Sequence, residues 1–129
     1  MMHIRPLVVS LLVLLTATGC APTVSSTLKE DAKDPFAGDV KVSQQALPPR
    51  VDYTVIGTVR ANSSTGYSGP EALYPLIADE ARKIGANAVM SAQGGRSPSA
   101  WSWAAPFVEG TAIRVEDEDD LKELDGKFY

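Results

Sequence analysis

The feature that most constrains this chain is a short apolar run near its start. Residues 7–15 read LVVSLLVLL, in which eight of nine residues are apolar, and Arg5 precedes them. A helix needs about 20 apolar residues to cross a bilayer, so the run is too short to span one and is typical of a secretory signal. Cleavage before Cys20 removes residues 1–19 and leaves 110 of the 129 residues to fold. That length predicts a single domain.

The signal closes on Ala17, Thr18, Gly19 and Cys20, an order that resembles the lipobox of bacterial lipoproteins. In that family, small residues precede a cysteine whose sulfur is acylated before the signal is removed. The resemblance implies a lipid anchor of diacylglycerol and palmitate on Cys20, and hence a place on a membrane of the cell envelope. Ala21 in place of Asp resembles the pattern of the outer membrane, with the domain facing the periplasm. An ordinary secretory signal, in which Cys20 is incidental, remains an alternative.

The charge and cysteine content of the mature chain bound its partners and its chemistry. Eleven Lys and Arg stand against sixteen Asp and Glu, a net charge of −5. Neutralising phosphates needs a basic face, so we expect no nucleic acid partner. Cys20 is the only cysteine, which leaves no partner for an internal disulfide.

Hydrophobic periodicity predicts an α+β domain over residues 40–115 that begins with two strands. Residues 40–42 alternate and fit a short edge strand, although the stretch up to Pro49 could instead belong to the preceding tether. Residues 53–60, YTVIGTVR, are rich in β-branched residues and form the clearest strand, with one face expected to be buried.

An amphipathic helix and two more strands complete the predicted domain. The helix has either a kink or a late start at Pro75, and it ends at Gly85. Residues 88–93 and 101–115 supply strands on either side of a loop at 94–98. The order of elements is that of a two-layer ββαββ sandwich, with one helix across a small sheet. The expected contact between helix and sheet joins Leu76, Ile77 and Ile84 to Tyr53, Val55 and Val59.

The segments on either side of the domain lack this periodicity. Residues 20–39 are predicted to be the lipidated cysteine and a flexible tether. Residues 116–129 hold seven acids and two lysines, and such a block usually forms a solvated, disordered tail. Leu121 and Leu124 leave open the alternative of one helical turn against the domain.

Three blocks of the domain resemble the YbjQ-type domains, which are also called putative heavy-metal-binding domains. The blocks are VIGTV at 55–59, DEARKIGANAV at 79–89 and GTAIRV at 110–115. The resemblance implies a ββαββ fold, sometimes assembled as a ring, and hence a possible homo-oligomer, with no established enzymatic activity. A related fold occurs in the Rcs envelope-stress sensor lipoprotein, whose disulfides this chain cannot form.

The residues give little support to metal binding or catalysis. The only histidine, His3, lies in the signal, so neither a soft metal site nor a histidine-dependent nucleophile can be assembled. We therefore expect no cofactor and no enzyme. The alternative is a carboxylate-based metal-binding protein, with the acids of residues 116–129 as ligands for calcium or magnesium, or a metal-dependent enzyme. For such an enzyme, Asp79, Glu80 and Glu109 are the candidate acids and bases.

Trp101 and Trp103 are the candidate binding residues. In an extended chain the two indoles point the same way, between small residues, and tryptophan is enriched at binding hot spots. Such a pair suits contact with a protein, a glycan or a membrane interface, whereas the alternative places both rings in the core. The sequence predicts a membrane-anchored binding, sensor or scaffold module with an envelope protein as partner.

Overall fold

A computed structural model of the chain describes residues 22–29, 31–63, 69–98 and 103–129. Within these ranges a mixed six-stranded sheet carries one α-helix on one face, which confirms the α+β class. The elements are β1 (Thr23–Leu28), β2 (Lys41–Ser43), β3 (Tyr53–Asn62), α1 (Tyr74–Lys83), β4 (Ala88–Ser97), β5 (Ala105–Val115) and β6 (Gly126–Phe128). Among these described elements, no helix is both long and apolar enough to cross a membrane.

The sheet has the strand order β1-β3-β5-β4-β2-β6. The predicted ββαββ order corresponds to β2, β3, α1, β4 and β5, while β1 and β6 extend the two edges. Strands β1, β3, β5 and β4 pair antiparallel, and β2 pairs parallel to β4 and antiparallel to β6. Strand β4 runs to Ser97, so the loop expected at 94–98 is largely strand.

The helix starts late, as one of the two alternatives at Pro75 requires. A 3₁₀ turn, Pro70–Leu73, precedes α1, and Pro75 lies in the first turn, where its missing N–H costs no hydrogen bond. Gly85 follows the helix with φ of 91°, the left-handed conformation that glycine adopts without strain.

The main core lies between the helix and the sheet, and a β-bulge decides which residues of β3 join it. Val55 pairs with Ile113 and Gly57 pairs with Ala112, so Ile56 is an extra residue in the ladder. The bulge places Ile56 and Val59 against the helix, whereas Tyr53 and Val55 pack into a second cluster on the opposite face. Ile77 and Ile84 therefore share the main core with Val59, and Leu76 packs against it, as predicted. The prediction for Tyr53 and Val55 is wrong.

The segment expected to be a tether belongs largely to the domain. Strand β1 pairs with β3 along its whole length, from Thr23 opposite Asn62 to Leu28 opposite Gly57. Beyond β1, the N–H of Lys33 donates to the carbonyl of Ile84 at 3.0 Å. The ordered domain therefore starts by Thr23 rather than at residue 40, because the free edge of β3 offers backbone partners to a polar strand.

The acidic segment is also folded where a disordered tail was expected. Leu121 and Leu124 are 4% and 2% exposed, and they pack in the second cluster as part of a 3₁₀ turn, Glu118–Glu123, and its exit. Buried Lys41 donates from Nζ to the Leu121 carbonyl at 2.9 Å. The alternative of a short turn against the domain is therefore correct, and β6 then pairs with β2.

Candidate functional site

Of the three predicted site residues, only Trp103 lies within the described part of the chain; Cys20 and Trp101 fall outside it. Trp103 is in the turn that joins β4 to β5, and it is 89% exposed. The core alternative is therefore wrong for Trp103. An indole this exposed has its apolar ring in water, which is unfavourable unless the ring contacts something else.

Trp103 lies at the end of the sheet where β1 begins. Thr23 pairs with Asn62, Asn62 pairs with Phe107, and Phe107 pairs with Gly95, so these residues form one row across four strands. Trp103 and Ala104 lie beyond this row along the chain, just before β5. We call Trp103 and the strand ends next to it the Trp103 end.

The sheet face opposite the helix is covered over only half of its length. Toward the far end of the sheet, the second cluster covers it, with Leu47, Val51 and the acidic segment. Toward the Trp103 end, the face carries polar side chains around a cleft of about 350 Å³, which we call the open face. The cleft is lined by Thr58, Ser91, Gln93, Gly94, Phe107, Glu109, Gly110 and Thr111.

Arg60 organises the polar groups of the open face. Its Nη1 donates to Oε2 of Glu109 at 3.0 Å, and its Nε donates to Oδ1 of Asn62 at 3.2 Å. The guanidinium also lies 4.3 Å from the ring centroid of Phe107, a cation–π contact. The result is a fixed, planar cation on an accessible surface. Arg60 was not predicted to be a site residue, although the alternating polar residues of β3 are a sequence signal for this surface.

A strained residue borders the same cleft. Ser91 has φ of 55°, because Ser91 and Ala92 together oppose Gly110 in a second β-bulge. Its N–H donates to the carbonyl of Gln45 at 3.0 Å. A non-glycine residue in this conformation costs about 1 to 3 kcal/mol, and such strain concentrates at functional sites. The strain at Ser91 therefore favours a functional role for the open face.

A second cleft, of about 320 Å³, lies where β2 and β6 meet the start of the helix. The rings of Tyr74 and Tyr129 meet edge to face with centroids 6.2 Å apart, and Gln44 donates to the Tyr74 hydroxyl at 3.0 Å. These contacts join Gln44 and the two tyrosines to one another, which is typical of a structural role.

The candidate acids lie on separate surfaces. Asp79 pairs with Arg82 at 3.1 Å on the helix, Glu80 accepts from Ser26 at 3.0 Å, and Glu109 belongs to the open face. In the ranges that the structure describes, no group of three or more His, Cys, Asp or Glu side chains could hold a metal ion.

The acidic segment forms ion pairs of its own at the far end of the sheet. Glu123 lies 2.6 Å from Arg50, and this hydrogen bond, with the charge of Glu123, raises the pKa of Arg50 above its usual value. Lys122 lies 3.5 Å from Asp119. Both pairs are largely exposed, so each contributes little to the stability of the domain.

Comparison with protein-family models, with curated proteins and with solved structures finds no match for this chain. The resemblances to bacterial lipoproteins and to YbjQ-type domains therefore stay predictions.

Proposed function

We propose that the protein is a lipoprotein of the bacterial cell envelope, anchored through acylated Cys20, that acts as a binding, sensor or scaffold module without catalytic activity. The order of charged start, apolar core and small residues before Cys20 supports the anchor. The outer membrane, with the domain in the periplasm, is the proposed location. Diacylglycerol and palmitate chains together bury enough methylene groups, at about 0.8 kcal/mol each, to hold a small domain firmly.

The exposure of Trp103 carries the proposal of a binding module. An indole that is 89% exposed contributes little to this domain's own core. Tryptophan is enriched at contact surfaces because its ring is large and rigid and loses little entropy on binding. The proposed contact residues are Trp101 and Trp103, and Trp103 lies at the end of the sheet where β1, the strand nearest to Cys20 in the chain, begins.

The open face is the surface that we propose for an envelope protein partner. Arg60 and Phe107 provide a stacked cation and aromatic ring, residue types that recur in the centres of interfaces. The surrounding cleft gives a partner side chain a place to enter.

Acylation is tested by metabolic labelling of the full chain with a fatty acid analogue. The wild-type protein is expected to be labelled and to fractionate with membranes, whereas Cys20→Ser should be unlabelled and should leave the membrane fraction or stay as precursor. Equal labelling of the two proteins would contradict the anchor.

The partner surface is tested by a photo-crosslinking residue placed at Gln93, which is exposed beside the cleft. The matched control places the same residue at Lys83, whose side chain is 67% exposed on the helix. A defined adduct from position 93 and none from 83 is expected in growing cells. Identical adducts from both positions, or adducts from neither, would contradict a partner on the open face.

A further inference from the structure

We propose that the Trp103 end is a membrane-contact surface, with the indole of Trp103 in the headgroup region of the lipid layer that holds the anchor. This inference rests on the proposed function, and it identifies the partner of the Trp103 end as a lipid surface rather than a protein. Three observations lead to it: the short reach between the anchor and the sheet, the distribution of charge along the domain, and the chemistry of the exposed side chain.

The start of β1 limits the distance between the lipid anchor on Cys20 and the sheet. Two residues, Ala21 and Pro22, separate Cys20 from Thr23, so the span between them is at most about 10 Å in an extended chain. Trp103 lies four residues before Phe107, which is in the same row as Thr23, so Trp103 lies at most about 13 Å beyond that row. An anchor on Cys20 and the ring of Trp103 can therefore reach the same plane. A protein partner would have little room between that end of the sheet and the lipid.

The domain carries little charge at one end and is acidic at the other. Residues 61–70 and 97–108 extend from the strand ends at the Trp103 end and contain no charged side chain. Residues 116–125 contain seven acids and one lysine. They follow β5, whose last eight residues run about 26 Å away from Phe107. Physiological salt screens charge over about 8 Å, so in this orientation the acids lie beyond the field of an anionic lipid surface.

The chemistry of Trp103 suits the boundary between lipid and water. Tryptophan is enriched there because its ring is apolar while its N–H still needs a polar partner, and headgroups supply both environments. Arg96, at the base of the hairpin, donates from Nη1 to the carbonyl of Ala104 at 3.0 Å. Its positive charge beside Trp103 is favourable at a surface of anionic lipids.

The orientation has a consequence for the open face. With β1 and the hairpin at the membrane, the strands stand away from the lipid, and the open face is directed sideways rather than into the bilayer. A lipid contact through Trp103 and a protein contact through Arg60 and Phe107 can then exist together.

The test uses the full, lipidated chain in vesicles of phosphatidylcholine and phosphatidylglycerol, with the phosphatidylcholine brominated in the upper part of its acyl chains. The substitution Trp101→Phe leaves Trp103 as the only indole. A matched reporter for the far end combines Trp101→Phe, Trp103→Phe and Lys122→Trp, at a side chain that is 82% exposed. Each variant must first show a cooperative melt.

We expect the brominated lipid to quench the fluorescence of Trp103 strongly. Quenching of Trp103 by aqueous acrylamide should be several-fold weaker in vesicles than in the same protein without vesicles. The reporter at position 122 should show neither change. Unquenched Trp103, or equal lipid quenching of both reporters, would overturn the orientation. Fatty acid labelling of the same preparation separates the two proposals: labelled protein with unquenched Trp103 refutes only the membrane contact, and unlabelled protein refutes the anchor and with it this inference.

Discussion

Truncating Leu124 tests whether the acidic segment is part of the folded domain. The side chain is 2% exposed and packs with Leu121 in the second cluster. Leu124→Ala removes three buried carbons, each worth about 0.8 kcal/mol of transfer free energy, and the cavity left behind adds to this. We expect the free energy of unfolding to fall by about 3 to 5 kcal/mol, a large part of what a domain of this size has.

Urea denaturation measures this loss, and Asp119→Ala is the matched control in the same turn. Asp119 is 83% exposed and forms an ion pair with exposed Lys122, so its loss should cost less than about 1 kcal/mol. If Leu124→Ala and Asp119→Ala had the same small effect, the segment would be a solvated tail after all. A changed m-value would instead indicate that Leu124→Ala releases the segment from the native domain.

Three further substitutions test the backbone geometry. Asn87→Ala should lower the free energy of unfolding by about 2 to 4 kcal/mol, because the buried Asn87 amide forms hydrogen bonds with both the N–H and the carbonyl of Val115. A loss of less than about 0.5 kcal/mol in urea denaturation would contradict this. Gly85→Ala should cost more than about 1 kcal/mol in the same assay, since φ is 91° and a Cβ would lie 2.5 Å from Cβ of Lys33; an unchanged midpoint would refute the strain. Ser91→Gly should stabilise by up to about 1 kcal/mol in thermal melts, whereas a lower Tm would show that φ of 55° is not costly there.

The central elements of the fold could be predicted because their sequence signals are strong and local. Alternation and β-branched residues mark β3, and the apolar stripe that includes Ile77, together with Gly85, marks the helix and its end. The face of β3 could not be predicted in full, because the bulge at Ile56 reverses the alternation and depends on pairing with β5, which is distant in the chain.

The two ends of the domain were missed for a different physical reason. Val24 and Leu28 are the only apolar residues of β1, so the sequence shows no hydrophobic pattern that marks a strand. The strand is ordered by its backbone pairing with β3. In the acidic segment the repulsion of seven acids is the obvious signal, yet burial of Leu121 and Leu124 outweighs it.

The candidate site, like the fold, could be predicted from the sequence only in part. The two tryptophans were recognisable in the sequence as unusual residues, but the exposure of Trp103 depends on where the hairpin turns. The open face depends on register, since Arg60, Glu109 and Phe107 meet only when β3 and β5 are paired.

The intact mass of the protein isolated from membranes shows whether Cys20 is its lipidated amino terminus. We expect a polypeptide that begins at Cys20, with a diacylglyceryl group on the sulfur and further acyl mass at the amino terminus. Digestion should place all of the added mass on the first peptide. A mature chain that begins at another residue, or one that begins at Cys20 with a free thiol, would contradict the account.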